Sequence, residues 1–323
     1  MRHIYAVGFF ILTLCCSGDL AAQHTPQYSL YMLDRYQFNP AYAGMDASLS
    51  INAAYRTQWV DLPGNPVQEH INAHMPLYLL NGAVGVKLMH ETIGAENTVR
   101  ASVSYNYVLE GNFGLISAGV SAGIIQKSLD GALLRAPDGE YEGPTIIHND
   151  PNLPIGLVRG IKPLVAAGAY YIGDQFEAGI SVTDVSFGAL EFDGIRFSGR
   201  PALVAFGEYY LEGLEGFDIY PTFLLRSDLS QTQVEVAVRG VYDDFLSAGV
   251  GLRGYSTHTL DAVVLFAGLK LSEHVSMAYG FDLTISPLSQ ATRGTHEVVL
   301  KYNLNKIIGA GLPPPVIYSP RFR

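Results

Sequence analysis

His70 and His74 are the first residues whose type and spacing could hold a metal ion, since imidazole is a common ligand and four residues is one helical turn. They lie in an alternating, strand-like run, however, where residues four apart share a face yet stand about 13 Å apart. That is too far for one ion, and the pair reads as polar side chains turned into an interior. Two carboxylate pairs, Asp243-Asp244 and Glu140 with Glu142, could in principle do acid–base work. The first sits in a turn-like break and the second in a long polar stretch, so they read as a tight turn and a solvated loop. No phosphate-cradling loop, dinucleotide fingerprint or nucleophile elbow stands in its proper context. A barrel lipase or protease would need a Ser or Asp with a His near a rim, and no motif marks one. The sequence therefore predicts no catalytic residue, no cofactor and no metal, and the chemistry to look for is that of surfaces.

Composition says which surfaces. Of 323 residues only 15% are charged while 48% are hydrophobic, and there are 34 Gly, 20 Tyr and 15 Phe. Soluble domains carry about a quarter charged residues, so part of this surface faces something other than water. The net charge of -10 speaks against nucleic acid as a partner. After the extreme N-terminus no run approaches the roughly 18 apolar residues of a membrane helix. Residues 1–22 carry one early cation, Arg2, an apolar stretch from Ile4 to Cys16, and small residues up to Ala21-Ala22, the pattern of a secretory signal peptide. A competing reading is a lipoprotein leader acylated on Cys15 or Cys16. If residues 1–22 are removed, both cysteines go with them and thiol chemistry drops out.

Beyond residue 46 the chain reads as strands. In 274–286, Val275, Met277, Tyr279, Phe281, Leu283 and Ile285 share one face, opposite Ser276, Ala278, Gly280, Asp282, Thr284 and Ser286. In 294–306, His296, Val298, Leu300, Tyr302 and Leu304 oppose Thr295, Glu297, Val299, Lys301, Asn303 and Asn305; in 232–242, Val234, Val236 and Val238 oppose Gln233, Glu235, Ala237 and Arg239. Fourteen such segments fall at about 47–59, 66–78, 83–92, 97–109, 115–130, 164–173, 175–185, 202–212, 217–228, 232–242, 245–256, 259–272, 274–286 and 294–306. Nearly all reach the roughly 9–11 residues a tilted membrane strand needs, whereas soluble strands run about 5–6. The fold expected is all-β: a transmembrane antiparallel barrel of about 14 strands spanning 47–306, in the outer membrane.

The connections support it. The long ones, 131–163, 186–201 and 287–293, alternate with short turns, so they fall on the cell exterior if both chain ends of the barrel are periplasmic. Aromatics near strand ends, Tyr55 and Trp59, Tyr105 and Tyr107, Tyr170 and Tyr171, Tyr209 and Tyr210, Phe217 and Tyr220, are expected to form two interfacial girdles.

Two segments do not belong to the strand pattern. Residues 23–46 hold Tyr28, Tyr31, Met32, Tyr36 and Phe38 before Asn39-Pro40-Ala41-Tyr42-Ala43-Gly44. That is too aromatic for a linker and is expected to fold into the lumen or against the periplasmic rim. Residues 307–323 carry Pro313-Pro314-Pro315 and Tyr318-Ser319-Pro320-Arg321-Phe322-Arg323, either a stiff periplasmic tail available to a partner or a disordered end.

The blocks Gln27-Tyr28-Ser29-Leu30-Tyr31-Met32, Asn39-Pro40-Ala41-Tyr42-Ala43-Gly44, and Tyr55-Arg56-Thr57-Gln58-Trp59 followed by Pro63-Gly64-Asn65-Pro66 resemble the opening of the PorP/SprF family of type IX secretion outer-membrane proteins. So do Gly168-Ala169-Tyr170-Tyr171, Phe176-Glu177-Ala178-Gly179-Ile180-Ser181 and the terminal Ser319-Pro320-Arg321-Phe322, with Asn65 standing where a small residue is expected. The resemblance implies an outer-membrane barrel that works with type IX secretion and gliding components in the periplasm and outer membrane, or with one large secreted surface protein. It implies no catalytic residues. The motif positions Tyr31, Asn39, Pro40, Ala41, Tyr42, Gly44, Arg56, Gln58, Trp59, Ser319, Pro320, Arg321 and Phe322 become the candidate partner-binding residues. A passive channel for small solutes, and a secreted soluble sandwich or adhesin, are the alternatives; the second fails on strand length.

Overall fold

The computed structural model describes residues 26–306 apart from 142–144, 187–189, 193–194, 198–199, 214–215 and 256–258. The leader 1–22, the tail 307–323 with its Ser319, Pro320, Arg321 and Phe322, and Glu142 lie outside the described residues.

Sixteen strands follow in chain order: β1 (Ser50–Thr57), β2 (Val67–Leu77), β3 (Gly82–Ile93), β4 (Glu96–Gly111), β5 (Gly114–Asp130), β6 (Leu157–Ile172), β7 (Phe176–Ser186), β8 (Leu190–Phe192), β9 (Ile195–Phe197), β10 (Ala202–Tyr209), β11 (Phe217–Ser227), β12 (Thr232–Tyr242), β13 (Leu246–Tyr255), β14 (Thr259–Lys270), β15 (Val275–Thr284) and β16 (Thr295–Asn303). All but β8 and β9, a small separate hairpin, form one closed antiparallel barrel of fourteen strands. The even number lets β1 meet β16 antiparallel, from Ser50 opposite Asn303 to Thr57 opposite His296. Closure leaves no unpaired strand edge, the condition for crossing lipid.

Short connections gather at one end of the barrel, the turn end, where β1 begins and β16 finishes. Asp243 and Asp244 make one of them, with φ of 49° and 54°. The described residues of the connections 131–156 and 187–201 lie at the other, the loop end. One boundary differs from the sequence reading: β6 begins at Leu157, not near 164, with Leu157–Pro163 paired to Ile124–Asp130. Gly160, Lys162 and Pro163 mask this strand start in the sequence. The long loop is therefore 131–156.

Alternation follows the expected faces. Val234, Val236, Val238, Met277, Tyr279, Leu283, Val298 and Leu300 are exposed on the outside, while Gln233, Glu235, Ala237, Ala278, Asp282, Thr284, Glu297 and Val299 are buried inside. Outward aliphatics such as Val103, Val120 and Ile180 are a liability in water and an asset in hydrocarbon, where a buried methylene stabilises by about 0.8 kcal/mol. The aromatics follow the expected girdles in part. Tyr107, Phe113, Phe176, Tyr209, Phe217, Tyr242 and Phe245 point outward around the turn end in a dense belt, and Tyr55 points outward nearer the loop end, where β1 finishes. Tyr170, Tyr210 and Tyr220 are buried instead. Successive residues of a strand point to opposite faces, so Tyr170 and Tyr171 cannot both face lipid.

The largest hydrophobic cluster lies inside the barrel, and most of its large side chains come from the N-terminal segment: Tyr28, Leu30, Tyr31, Met32, Tyr36, Phe38 and Tyr42. Three short 3-10 turns, Tyr31–Leu33, Arg35–Gln37 and Pro40–Tyr42, coil this segment without a continuous helix.

Candidate functional site

The lumen is built around residues 26–49. The start of this segment lies near the loop end. The Pro26 carbonyl accepts from Arg226, one residue from the end of β11, and Gln27 accepts from Gln58 at 3.1 Å. Ser29 sits in a knot of buried charge. Its Oγ–H donates to Asp282 Oδ1 at 2.5 Å and the same oxygen accepts from Arg56 at 2.5 Å and from Arg253 at 2.8 Å. Arg56 reaches Asp282 at 2.8 Å and Glu297 at 2.9 Å; Arg253 reaches Asp282 at 2.6 Å and Glu235 at 2.9 Å. The two arginines face three carboxylates, and the surplus negative charge is met by backbone N–H groups of Ser29 and Leu30, which donate to Glu297 at 2.7 and 3.2 Å. Buried ions persist when they are paired, and the Ser29 and Leu30 bonds to these paired wall charges are how the wall and the segment hold each other, although Nε of Arg56 and Nε of Arg253 have no hydrogen-bond partner among the described residues.

Midway down, Asp34 accepts from Asn72 at 2.6 Å and lies 2.9 Å from His70 Nε2, so His70 faces the lumen as expected. Arg35 bridges Glu177 and Glu208 at 2.5 and 2.7 Å, its guanidinium over the rings of Tyr42 and Phe206. Tyr31 OH pairs with Thr222 Oγ1 at 2.9 Å. Tyr36, fully buried, bonds Ser104 at 2.7 Å and lies where a Cβ on Gly85 would come within 2.3 Å of its hydroxyl.

The motif Asn39-Pro40-Ala41-Tyr42-Ala43-Gly44 has a specific seat. Gly119, Gly168 and Gly179, on β5, β6 and β7, leave a groove in the wall; added Cβ atoms would stand 2.6 Å from Ala41 N, 2.2 Å from Asn39 Oδ1 and 2.8 Å from Asn39 Nδ2. Asn39 caps the turn by accepting from Ala41 N–H at 2.9 Å and donates to the Ala169 and Ile180 carbonyls at 3.0 and 3.2 Å. Pro40, at the first position of that turn, gives up no needed donor. Asn106 donates to the Ala41 and Ala43 carbonyls, both at 2.8 Å. Tyr42 packs on Tyr170 with ring centroids 5.0 Å apart. Gly44 has φ +69° and donates to His74 Nδ1 at 3.0 Å, and a Cβ there would meet that of Ala83 at 2.3 Å. Near the turn end Asp46 takes Tyr42, Ser50 and Lys301 at 3.0, 2.5 and 2.9 Å. Burial pushes its carboxyl up, but Lys301, His74 and Ser50 outweigh burial and hold it well below the ordinary carboxylate value.

Of the candidate residues, Tyr31, Asn39, Pro40, Ala41, Tyr42 and Gly44 thus line one continuous inner segment. Arg56 and Gln58 meet its beginning from β1 and the residue after it. Trp59 does not join them: it sits half-buried in the β1–β2 connection, its N–H on Thr295 Oγ1 at 3.1 Å. Asn65 in the same connection donates to Thr57 Oγ1 and the Gln58 carbonyl. Arg35, Glu177, Glu208, Glu235, Arg253, Asp282 and Glu297 were not among the candidates, although their signal was available: charged residues at inward positions of strand segments.

Below the segment a vestibule of about 1390 Å³ lies at the turn end. Its floor is Met32, Leu33, Arg35, Tyr42 and Met45; its walls include Leu115, Ile172, Tyr220 and Lys301, and its lower edge Glu110, Asp244, Glu273, Asn305 and Lys306. Among the described residues no cluster of three His, Cys, Asp or Glu has the geometry to hold a metal ion.

Comparison with known proteins agrees with this architecture. The family model described as type IX secretion system membrane protein PorP/SprF matches residues 20–302, and the chain belongs to that family. Among solved structures, the CymD monoaromatic hydrocarbon channel is similar at 12% identity and TM-score 0.51, over 85% of this chain and 93% of that one. The TodX deltaS2S3 mutant monoaromatic hydrocarbon channel is similar at 10% identity and TM-score 0.50, over 86% and 94%. These likenesses concern the fold. The sequence matches none of the curated proteins.

Proposed function

We propose that this PorP/SprF-family barrel is a sealed outer-membrane component of type IX secretion and gliding machinery. It assists export or surface attachment of a cognate large protein, or anchors periplasmic ring components. Its partner-binding elements are the inner segment around Tyr31 and Asn39–Gly44, with Arg56 and Gln58 behind it, and the tail with Ser319, Pro320, Arg321 and Phe322. The observation that carries this reading is the filled lumen: residues 26–49 run from near the loop end to the turn end and are tied to the wall at three depths, by hydrogen bonds of Ser29 to Asp282 and Glu297 and by the ion pairs Arg35–Glu208 and Asp46–Lys301. Such a filling supports an assembly component over a passive solute channel, which needs a continuous aqueous path.

The test is a quantitative comparison of surface and secreted proteomes between a strain lacking this gene and its parent, neighbouring genes intact. Loss of one or a few large proteins marks a substrate-specific accessory, and loss of all type IX cargo marks a core component. An unchanged secretome with slower uptake of small solutes would overturn the proposal in favour of a channel.

A further inference from the structure

We propose that the vestibule at the turn end is the docking site of the chain's own C-terminal segment, residues 307–323. The cavity, about 1390 Å³, exceeds the roughly 300–1,000 Å³ of small-molecule sites and suits a length of peptide. The chain is already there: Asn303, Asn305 and Lys306, which lead into the segment, line the cavity. Asn305 is held to the rim by its side-chain amide, which donates to the Glu273 carbonyl.

Reach is ample. Fourteen strands about 4.8 Å apart, tilted by about 40°, enclose a mouth about 28 Å across. From residue 307 to Arg321, a polyproline-like chain at about 3.1 Å per residue spans about 46 Å. Pro313-Pro314-Pro315 pre-pays part of the ordering cost of docking.

Chemistry matches as well. Residues 307–323 contain no Asp or Glu and include Arg321 and Arg323. Glu110, Asp244 and Glu273 at the lower edge make no ion pair among the described residues. The cations that also line the cavity are largely committed: Arg35 to Glu177 and Glu208, Arg239 to Glu208 and Lys301 to Asp46. Burial raises the Asp244 carboxyl above its ordinary value, with Lys270 opposing that and Asp218 and Asp243 adding to it, so an arriving cation would relieve the site; Lys306 belongs to the entering chain itself. Apolar floor residues Leu33 and Met45 offer a place for Leu312, Val316, Ile317 or Phe322.

The test uses the full chain purified in detergent. With residues 1–22 removed the protein has no cysteine, so introduced thiols are unique. Leu33→Cys with Tyr318→Cys places one thiol on the floor and one in the segment; Leu133→Cys with Tyr318→Cys is the loop-end control. A short bis-maleimide should link the first pair within one chain in most molecules, and the control in almost none. The triple substitution Glu110→Gln, Asp244→Gln and Glu273→Gln should lower the yield of the first pair at least threefold while heat-dependent gel mobility stays normal. A yield equal to the control, or no response to the triple substitution, overturns the assignment. Linking between chains instead of within one overturns it in favour of a second copy as the occupant. These results stand apart from secretion phenotypes, so the inference and the proposed function fail separately.

Discussion

The two ends of the lumen are built on opposite principles. At the loop end the start of the inner segment is locked into a buried network in which Arg56, Arg253, Asp282, Glu235 and Glu297 are all within 2.9 Å of a partner. At the turn end the same segment forms the floor of an open cavity, and its edge charges Glu110, Asp244 and Glu273 are unpaired among the described residues. Buried ion networks resist change because moving one member strands the others. Exposed, unpaired charges are cheap to rearrange and cheap to recruit. Apart from the buried Asp46–Lys301 pair, the difference assigns anchoring to the loop end and exchange to the turn-end rim, so a partner of this barrel is expected to act from the side on which β1 begins and β16 finishes.

The largest effects should come from breaking the knot. Asp282→Asn removes the carboxylate that both arginines and Ser29 share, leaving Arg56 on Glu297 and Arg253 on Glu235 with nothing negative between them. Losing one partner of a buried ion pair costs about 3–5 kcal/mol. Unfolding in detergent, followed by heat-dependent gel mobility, should show a midpoint drop of that order, and the variant should acquire single-channel conductance as the inner segment loosens. A variant that is destabilised yet stays non-conducting would show that the segment seals without this anchor, and the contrast between the two ends would weaken.

The glycine groove tests the region between the ends. Gly119→Leu introduces atoms where Ala41 already lies, since even a Cβ would approach Ala41 N to 2.6 Å. Overpacking costs about 1–3 kcal/mol, here paid mainly by the inner segment because the wall ladder is intact. Asn39→Ala removes the turn cap and two bonds to wall carbonyls, for a loss of about 1–2 kcal/mol. Both variants should keep the barrel's far-ultraviolet circular dichroism while making residues 26–46 sensitive to protease. A protease-resistant segment in Gly119→Leu would mean the groove is not its seat.

How much of this was legible beforehand follows from the range of each interaction. Strand faces are local, repeating every two residues, so the outward Val234, Val236 and Val238 and the inward Gln233 and Glu235 could be read directly. The start of β6 was not, because β6 and β5 pair through Arg159, Gly160 and Lys162, whose types alone suggest a loop. Aromatic placement by proximity to strand ends failed at Tyr170 and Tyr220, where parity rather than proximity decides the face. The family motif pointed to Asn39–Gly44, but the carboxylates that hold the segment lie far away in sequence, Glu297 being 268 residues from Ser29. No periodicity announces such a pairing. Only closure of β1 on β16 brings Arg56 and Glu297 to the same height.

Acid should reach the Asp46 anchor only well below neutrality. Asp46 has a lowered carboxyl value in the folded protein, so its ion pair with Lys301 contributes stability above the unfolded carboxylate range, near pH 4, and that contribution is lost as pH falls through the folded value. Between pH 7 and 4 the Asp46 anchor should therefore hold, and protease sensitivity near residues 44–49 should rise only in stronger acid. Asp46→Asn should remove this step from the profile. If wild type loosens there already at pH 5, Asp46 is not the group that titrates.

The smallest stability effects belong to the turn-end carboxylates, and their smallness is informative. Glu110→Gln, Asp244→Gln or Glu273→Gln singly should change the unfolding free energy by no more than about 0.5 kcal/mol, as surface substitutions do when no buried partner is lost. If these residues serve exchange rather than anchoring, their effect should appear elsewhere, in cross-linking between the segment 307–323 and the vestibule. A destabilisation by any one of them comparable to Asp282→Asn would mean that the rim carboxylates also anchor. The loop end would then lose its distinction, and the side from which a partner acts would have to be sought by other means, starting with loops 131–156 and 187–201. A null effect on stability together with a threefold fall in cross-linking would place recognition at the turn end and anchoring at the loop end in one pair of measurements.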